Sequence, residues 1–244
     1  MNITSLTNMK VKDWVKLQKK KYRDECGLFL IEGEHLIEEA DKQGIIQQLI
    51  LQETVDSKVS CSETYYVTEE IMKKISTNLS IPKMIAVCNY FELEVKNAKK
   101  IIALDEIQDP GNLGTIIRTA VSFGFDALFL SSHSVDLYND KLLRATQGAI
   151  FQIPILSKSI VDSIQDYKNE GFQIYATSLE NAISLEKIEP IEPYVLIFGN
   201  EGKGVSKELL EIADERIRID MDGFESLNVG VAAGIVMYHF KHKL

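Results

Sequence analysis

IIALDEIQDPGNLGTIIRTAVSFG (101–124) runs from an almost unbroken apolar segment into a Pro/Gly/Asn turn and then into residues with helical spacing. Two later stretches, VLIFGNEGKGVS (195–206) and RIDMDGFESLNVGVAAGIVMYHF (218–240), share that organisation. Glycine and asparagine tolerate the positive φ of a tight turn, and a helix start presents free N–H groups. Each junction can therefore meet a ligand with its backbone, and three of them in one domain predict a composite site.

Outward from these junctions, strands are predicted at 101–105, 127–132, 172–178 and 194–199, all nearly continuous in apolar and β-branched residues. Such strands are buried on both faces, as in parallel sheets covered by helices. Helices fit at 114–123, 140–147, 159–169, 206–213 and 228–239. Ligands of such sheets bind at the carboxyl ends of the strands, where all three junctions fall. Upstream, Val11, Val15 and Leu17 beside Trp14 give a helical stripe through about residue 21. GLFLIEG (27–33) then reads as a strand. A helix at 34–43, strands at 47–52 and 64–68, a helix at 69–76 and a strand at 84–90 complete a small α/β unit. FELEVKNAKK (91–100) has few core residues and reads as a linker, which puts the boundary near Lys96 and the domains at 1–95 and 96–244.

With 244 residues, 45% of them apolar, the chain buries one good core or two smaller ones. No run of about 18 apolar residues occurs, and MNITSLTNMKVKD lacks the apolar heart of a signal peptide, so a cytoplasmic protein without a membrane span is expected. Cys26, Cys61 and Cys88 are odd in number and far apart, which favours reduced, buried thiols over a disulfide framework or zinc. The histidines are equally scattered. His239 and His242 have no Cys or carboxylate cluster beside them, so no metal site is expected. Charge is uneven: residues 1–23 hold seven Lys/Arg against Asp13 alone and so carry +6, while the rest of the net −9 chain carries −15. A basic arm on an acidic body suits a nucleic-acid backbone, and suits a solvated helix face equally well.

GNEGKGVS (199–206) is not a phosphate loop, because Ile197 and Gly204 occupy the places of its first glycine and its Ser/Thr. Nor do Gly199, Gly202 and Gly204 have dinucleotide-fingerprint spacing. Glu201 stands out, since a carboxylate at a helix-opening turn accepts bonds from N–H groups or a cationic partner. Arg118 lies six positions past Asn112, among apolar Ile116, Ile117, Ala120 and Val121. From this segment alone it is a structural salt bridge or an anion site. Ser226 and Asn228 precede a helix of small residues, Gly230, Ala232, Ala233 and Gly234, that lets another backbone come close. An N-cap role for Ser226 is the plainer alternative.

DPGNLGTIIRTA, FGNEGKG and IDMDGFESLNVGVAAGI together resemble, in order and spacing, the three signature motifs of the SpoU/TrmH class of RNA ribose 2′-O-methyltransferases in the SPOUT superfamily. The resemblance covers about residues 100–240. FLIEGEHLIEEA (29–40), with the basic helix before it, is similar to the small L30/L7Ae-like (L30e-like) substrate-binding domain that often precedes such enzymes. The resemblance implies an α/β, SPOUT-type parallel sheet with a carboxyl-terminal trefoil knot, a homodimer whose site is completed across subunits, and S-adenosylmethionine as cofactor. It implies cofactor contacts at Gly199, Ile219, Met221 and Leu227, with Thr177 at a neighbouring strand end, and functional polar positions at Asn112, Arg118, Glu201, Ser226 and Asn228.

The implied reaction is attack of an unactivated ribose 2′-hydroxyl on a sulfonium methyl, which needs orientation and help in removing a proton. Arg118 is the leading candidate. A guanidinium stays protonated above pH 12, so Arg118, near Glu201 and an RNA phosphate, is expected to polarise and position the hydroxyl. One departure is Asp220 after Ile219, where the family's third motif usually has proline; its loss is expected to loosen that turn. The separate first domain favours 23S ribosomal RNA as the substrate over transfer RNA. Two rivals are a non-catalytic RNA-binding or ribosome-assembly protein of the same fold, and a small-molecule α/β enzyme using a nucleotide cofactor, which leaves the basic arm unexplained.

Overall fold

The structure is a computed structural model, and it describes residues 1–157, 159–223 and 226–243. Phe224 and Glu225 of the third motif lie outside the described residues. By packing, the chain divides into two compact units, residues 1–91 with 136–151, and residues 92–135 with 152–244.

The first unit holds, in chain order, β1 (Asn2–Ile3), α1 (Met9–Lys16), α2 (Lys20–Cys26), β2 (Leu28–Glu32), α3 (Glu34–Lys42), β3 (Ile46–Gln52), β4 (Thr64–Val67), α4 (Glu69–Ile75), β5 (Met84–Asn89) and, from its second segment, α6 (Asp140–Thr146). Its mixed five-stranded sheet has the order β1-β4-β3-β5-β2. Val11, Trp14, Leu17, Tyr65, Ile71 and Ile85 build one side of its core. The expected first helix is two: the chain breaks between Lys16 and Lys20, and the Leu17 carbonyl freed by the break accepts a bond from the buried guanidinium of Arg23 at 2.9 Å. Of the three thiols expected to be buried, only Cys88 is; Cys26 sits exposed in the last turn of α2, just before left-handed Gly27.

The second unit holds β6 (Lys100–Leu104), α5 (Pro110–Phe123), β7 (Ala127–Leu130), β8 (Ile155–Ser157), α7 (Ile160–Asn169), β9 (Gln173–Thr177), β10 (Ile183–Ser184), β11 (Tyr194–Phe198), α8 (Lys207–Ile212), β12 (Glu215–Arg218) and α9 (Val229–His242). Its seven strands are all parallel, in the order β10-β12-β9-β11-β6-β7-β8. The four strands expected from apolar runs are present. β7 and β11 are buried at every position, as strands covered on both faces must be. β8, β10 and β12 lie outside those runs: β8 and β10 are three and two residues long, and three of the four residues of β12 are charged. α5 begins four residues earlier than expected: Pro110 occupies its first turn, where a missing N–H costs nothing, and Asp109 caps it by accepting the Asn112 N–H at 2.8 Å.

α9 closes the unit by packing on α5 and over the sheet. Phe240 is fully buried, with its ring centroid 4.9 Å from that of Tyr175 and 5.0 Å from that of Tyr194. Truncating a buried aromatic of this kind costs about 3–5 kcal/mol, so Phe240→Ala is expected to lower the urea midpoint of the unit sharply and Phe240→Leu much less. Equal midpoints for the two variants would show that α9 does not depend on this contact.

Candidate functional site

Because the sheet is parallel, β9, β11 and β12 all end at one edge, and their loops meet in a cleft of about 520 Å³. Residues 177–180 after β9, 199–205 after β11 and 216–219 at β12 line it, with Met221, Ser226, Leu227 and Val229 on the way into α9. All five expected cofactor positions, Thr177, Gly199, Ile219, Met221 and Leu227, are in this lining, as are Glu201 and Ser226. Asn112, Arg118 and Asn228 are not.

The 199–205 loop folds back on itself. Asn200 and Gly204 exchange backbone hydrogen bonds at 3.0 and 2.9 Å, with Gly204 at φ +72°. A Cβ on Gly199 would stand 2.1 Å from the Gly204 carbonyl carbon and the Val205 nitrogen, so no side chain fits there. Two residues that sequence reasoning passed over hold this loop. The Asn200 side chain accepts the Gly202 and Lys203 N–H groups at 2.9 and 3.1 Å and donates to the Glu106 carbonyl at 2.8 Å. The buried Asp105 carboxylate accepts the Ser206 N–H at 2.8 Å. For Asn200 the signal was present, an Asx turn in a Gly-flanked segment; Asp105 looked like the end of a strand.

Glu201 meets N–H groups and not a cation. Its carboxylate accepts the backbone N–H of Asp109 at 3.1 Å and of Gln108 at 3.3 Å, and the Asn112 side-chain amide at 3.0 Å. Asn112 in turn accepts a bond from the Asn228 amide at 2.9 Å, and the Asn228 oxygen caps α9 by accepting from Gly230 and Val231 at 2.9 and 3.3 Å. The cap of α9 is therefore Asn228, which leaves the exposed Ser226 on the cleft wall. A hydrogen-bonded chain thus joins one polar residue from each of the three motifs. Partial burial favours protonation of Glu201, but the Asn112 amide, the residue's own N–H and the Asp109 and Gln108 N–H groups outweigh it and hold the carboxyl below its usual range.

Arg118 lies two turns into α5, on its exposed side; Ile116, Ile117 and Ala120 take the buried side. Among the described residues its side chain makes no hydrogen bond or ion pair, and none joins it to Glu201. Asp220, where a proline would stiffen the turn, is braced instead: the Ser184 hydroxyl and the Arg218 guanidinium (Nε at 3.0 Å) hold its carboxyl below the usual range, and Arg218 also donates to the Ala182 carbonyl at 2.8 Å. Among the described residues there is no group of three or more His, Cys, Asp or Glu able to hold a metal ion, and no helix is long and apolar enough to cross a membrane.

A carboxyl held below its ordinary 4.5 stabilises the fold fully above that value and loses this contribution as acid protonates it. Glu201→Gln is therefore expected to be less stable than the native chain at pH 7, with the gap between their urea midpoints closing as the pH falls below about 4.5. A gap that stayed constant into acid would mean that the carboxylate charge is not what holds α5.

The SpoU rRNA Methylase family profile matches residues 99–238, and that of the MRM3-like substrate binding domain matches residues 8–86. A Bacillus subtilis (strain 168) protein named 23S rRNA (guanosine(2553)-2′-O)-methyltransferase RlmP is 39% identical over 247 residues, covering 98% of each chain. An rRNA methyltransferase from Sinorhizobium meliloti, solved also with AdoMet bound, superposes with a TM-score of 0.89 at 30% identity, over 100% of this chain and 98% of that one. On a full-length relative at this identity and a profile match across most of the second unit, the chain belongs to the SpoU rRNA methylase family.

Proposed function

We propose that this protein transfers a methyl group from S-adenosylmethionine to a ribose 2′-hydroxyl of 23S ribosomal RNA in the cytoplasm. The observation that carries this is the hydrogen-bonded chain Glu201–Asn112–Asn228 standing beside a cleft with the backbone-lined shape a nucleoside cofactor needs. The name of the Bacillus subtilis relative supports the substrate and makes a guanosine the first target to test.

The residues present fit the cofactor. A cleft of about 520 Å³ is within the range of small-molecule sites. Gly199 keeps one wall bare where any Cβ would collide, and Ile219, Met221 and Leu227 supply apolar side chains between main-chain polar groups. Backbone groups at Thr177, Gly199, Ile219, Met221 and Leu227 hold the cofactor in this proposal. When bound, it supplies an electrophilic sulfonium methyl.

The protein's own part is orientation. Glu201 acts through Asn112, fixing which side of that amide donates, and leaves the second N–H of Asn112 and of Asn228 for ribose or phosphate. Ser226 offers an exposed hydroxyl on the cleft wall. Arg118, free of protein partners among the described residues, polarises and positions the 2′-hydroxyl and an RNA phosphate while staying protonated.

The same reading includes a homodimer and a site completed across subunits. Val231, Ile235 and Tyr238 are 40–55% exposed at helical spacing along α9, an apolar face of the kind a second copy covers. Arg118 lies outside the cleft lining of its own chain, which suits a contribution to the partner's cleft. The reading also includes the carboxyl-terminal trefoil knot, supported by β12 pairing with β9 while α9 packs on α5. Residues 1–95 serve as the RNA substrate-binding domain and 96–244 as the catalytic domain.

Incubation with labelled S-adenosylmethionine and ribosomal or transfer RNA should label large-subunit ribosomal RNA; label in transfer RNA alone would move the substrate, and label in neither would end the proposal. Arg118→Ala is expected to lower turnover by about 100-fold or more while cofactor affinity, read by calorimetry, stays within about twofold. Gly199→Ala should do the reverse at the binding step, weakening cofactor affinity by about tenfold or more. Normal turnover in the Arg118 variant would remove that residue from the mechanism.

A further inference from the structure

The basic stretch that opens the chain takes no part in the cleft, and in the fold its charges separate. Arg23 is buried, its guanidinium used by the Leu17 carbonyl and the Asp136 carboxylate. Lys10 turns toward Glu63 and the Tyr65 ring. Lys12, Lys16, Lys19, Lys20 and Lys21 remain exposed. Between them, Gln18 donates its side-chain amide to the Ile75 carbonyl at 2.8 Å and the Lys74 carbonyl at 3.3 Å, and the Lys74 ammonium reaches the Leu6 carbonyl at 3.4 Å. These bonds dock the end of α4 on the α1–α2 corner and bring exposed Lys73 and Lys74, more than fifty positions away in sequence, beside the 16–20 segment.

The acids nearby neutralise this face only weakly: Glu69 and Glu70 lie one turn before Lys73 and Lys74 on α4, exposed and with no ion pair to them among the described residues. Asp13, Asp24 and Glu25 pair with Lys16, Lys20 and Lys21 at 2.9, 2.6 and 3.9 Å, all between exposed side chains one helical turn apart. Pairs of this kind hold loosely, and a phosphate can replace the carboxylate. Lys12, Lys19 and Lys73 form no ion pair among the described residues. The neighbouring rings offer bases no platform: Trp14 and Tyr65 are in the core, and Tyr22 is half-buried beneath Lys21.

We propose that this face of the first unit, centred on Lys16, Lys19, Lys73 and Lys74, is a contact surface for the phosphate backbone of RNA. It rests on the RNA reading above and adds to it where the backbone lies and what kind of contact it makes. Lysine ammonium groups without stacking rings read charge and not sequence, so this face positions the RNA and leaves the choice of nucleotide to the second unit.

The test is the full-length variant K16Q/K19Q/K73Q/K74Q against a control with the same charge change elsewhere, K58Q/K83Q/K96Q/K207Q. Binding would be measured by fluorescence anisotropy between 50 and about 400 mM KCl, on a large-subunit ribosomal RNA transcript and on an unrelated hairpin RNA of equal length. Losing four phosphate contacts should lower the slope of log affinity against log salt by about 3 and weaken binding by about tenfold or more on both RNAs. Cofactor affinity should not move, and the control should keep the native slope. An unchanged slope in the first variant, with native methyl transfer to the transcript, would overturn this proposal and leave the enzymatic reading intact. A native chain that methylates no RNA, with the slope still falling as expected, would do the opposite. Loss of binding to phosphatidylglycerol vesicles, with no change on RNA, would assign the face to a membrane and overturn the proposal as well.

Discussion

The carboxylate of Glu201 is the joint on which the site depends. It sits in the loop after β11, yet besides its own backbone N–H its donors are the Gln108 and Asp109 N–H groups and the Asn112 amide, at or just before the start of α5. A carboxylate has only acceptors, so every proton around it must come from its neighbours, and this fixes the orientation of Asn112 without ambiguity. The Asn112 oxygen is then left to accept from Asn228, whose own oxygen is committed to the first turn of α9. Two helices that start far apart in sequence are thereby aligned by one residue on a glycine-rich turn. A glutamine would bring N–H groups of its own to a place already supplied with them.

This arrangement depends on a second constraint that involves no polar group. The loop can present Glu201 only because it doubles back between Asn200 and Gly204, and it can double back only because Gly199 has no Cβ. Asn200 satisfies the turn from within, and Asp105 ties its far end to the edge of β6. Asp220 makes a similar adjustment on the opposite wall. A proline would have restricted φ there; the aspartate leaves φ free but draws Arg218, Ser184 and the Ala182 carbonyl into one exposed brace. Rigidity supplied by hydrogen bonds depends on charge and salt in a way that ring closure does not, so this turn is expected to be the salt-sensitive part of the cleft.

Much of this was legible before any coordinates. Apolar runs such as YVLIFG announce a strand buried on both faces, and the three Gly/Asn junctions fall at one edge, so the parallel sheet and the edge at which its loops meet follow from local pattern, whereas the five cleft positions were implied by the resemblance to the SpoU/TrmH class. What could not be read was direction. Arg118 among Ile116, Ile117 and Ala120 read as a structural salt bridge or an anion site; in α5 those three take the buried side and position 118 faces outward, with no ion pair among the described residues. An N-cap was the plainer alternative for Ser226, and the observed backbone gives the cap of α9 to Asn228 instead. The basic arm was legible in part: Asp24 and Glu25, just past Arg23, pair with Lys20 and Lys21, and Lys73 and Lys74 come to that face only by tertiary packing.

The chemistry proposed for the cleft has to reconcile a reaction that releases a proton with a site poor in bases. Glu201 is held below the usual carboxylate range by donors that it would have to give up in order to accept a proton. No histidine lines the cleft, and a guanidinium keeps its proton throughout the physiological range. An enzyme so built cannot rely on a strong base within one chain. Its leverage is geometric, holding a hydroxyl in line with a methyl group and placing a fixed positive charge where the oxygen gains negative charge, so that the proton becomes acidic enough for water or a phosphate oxygen to take. A cation in that role must not be neutralised by its own protein. In the proposed mechanism Arg118, exposed and without an ion pair among the described residues, meets that requirement, while the Glu201 carboxylate is committed to N–H donors around the start of α5.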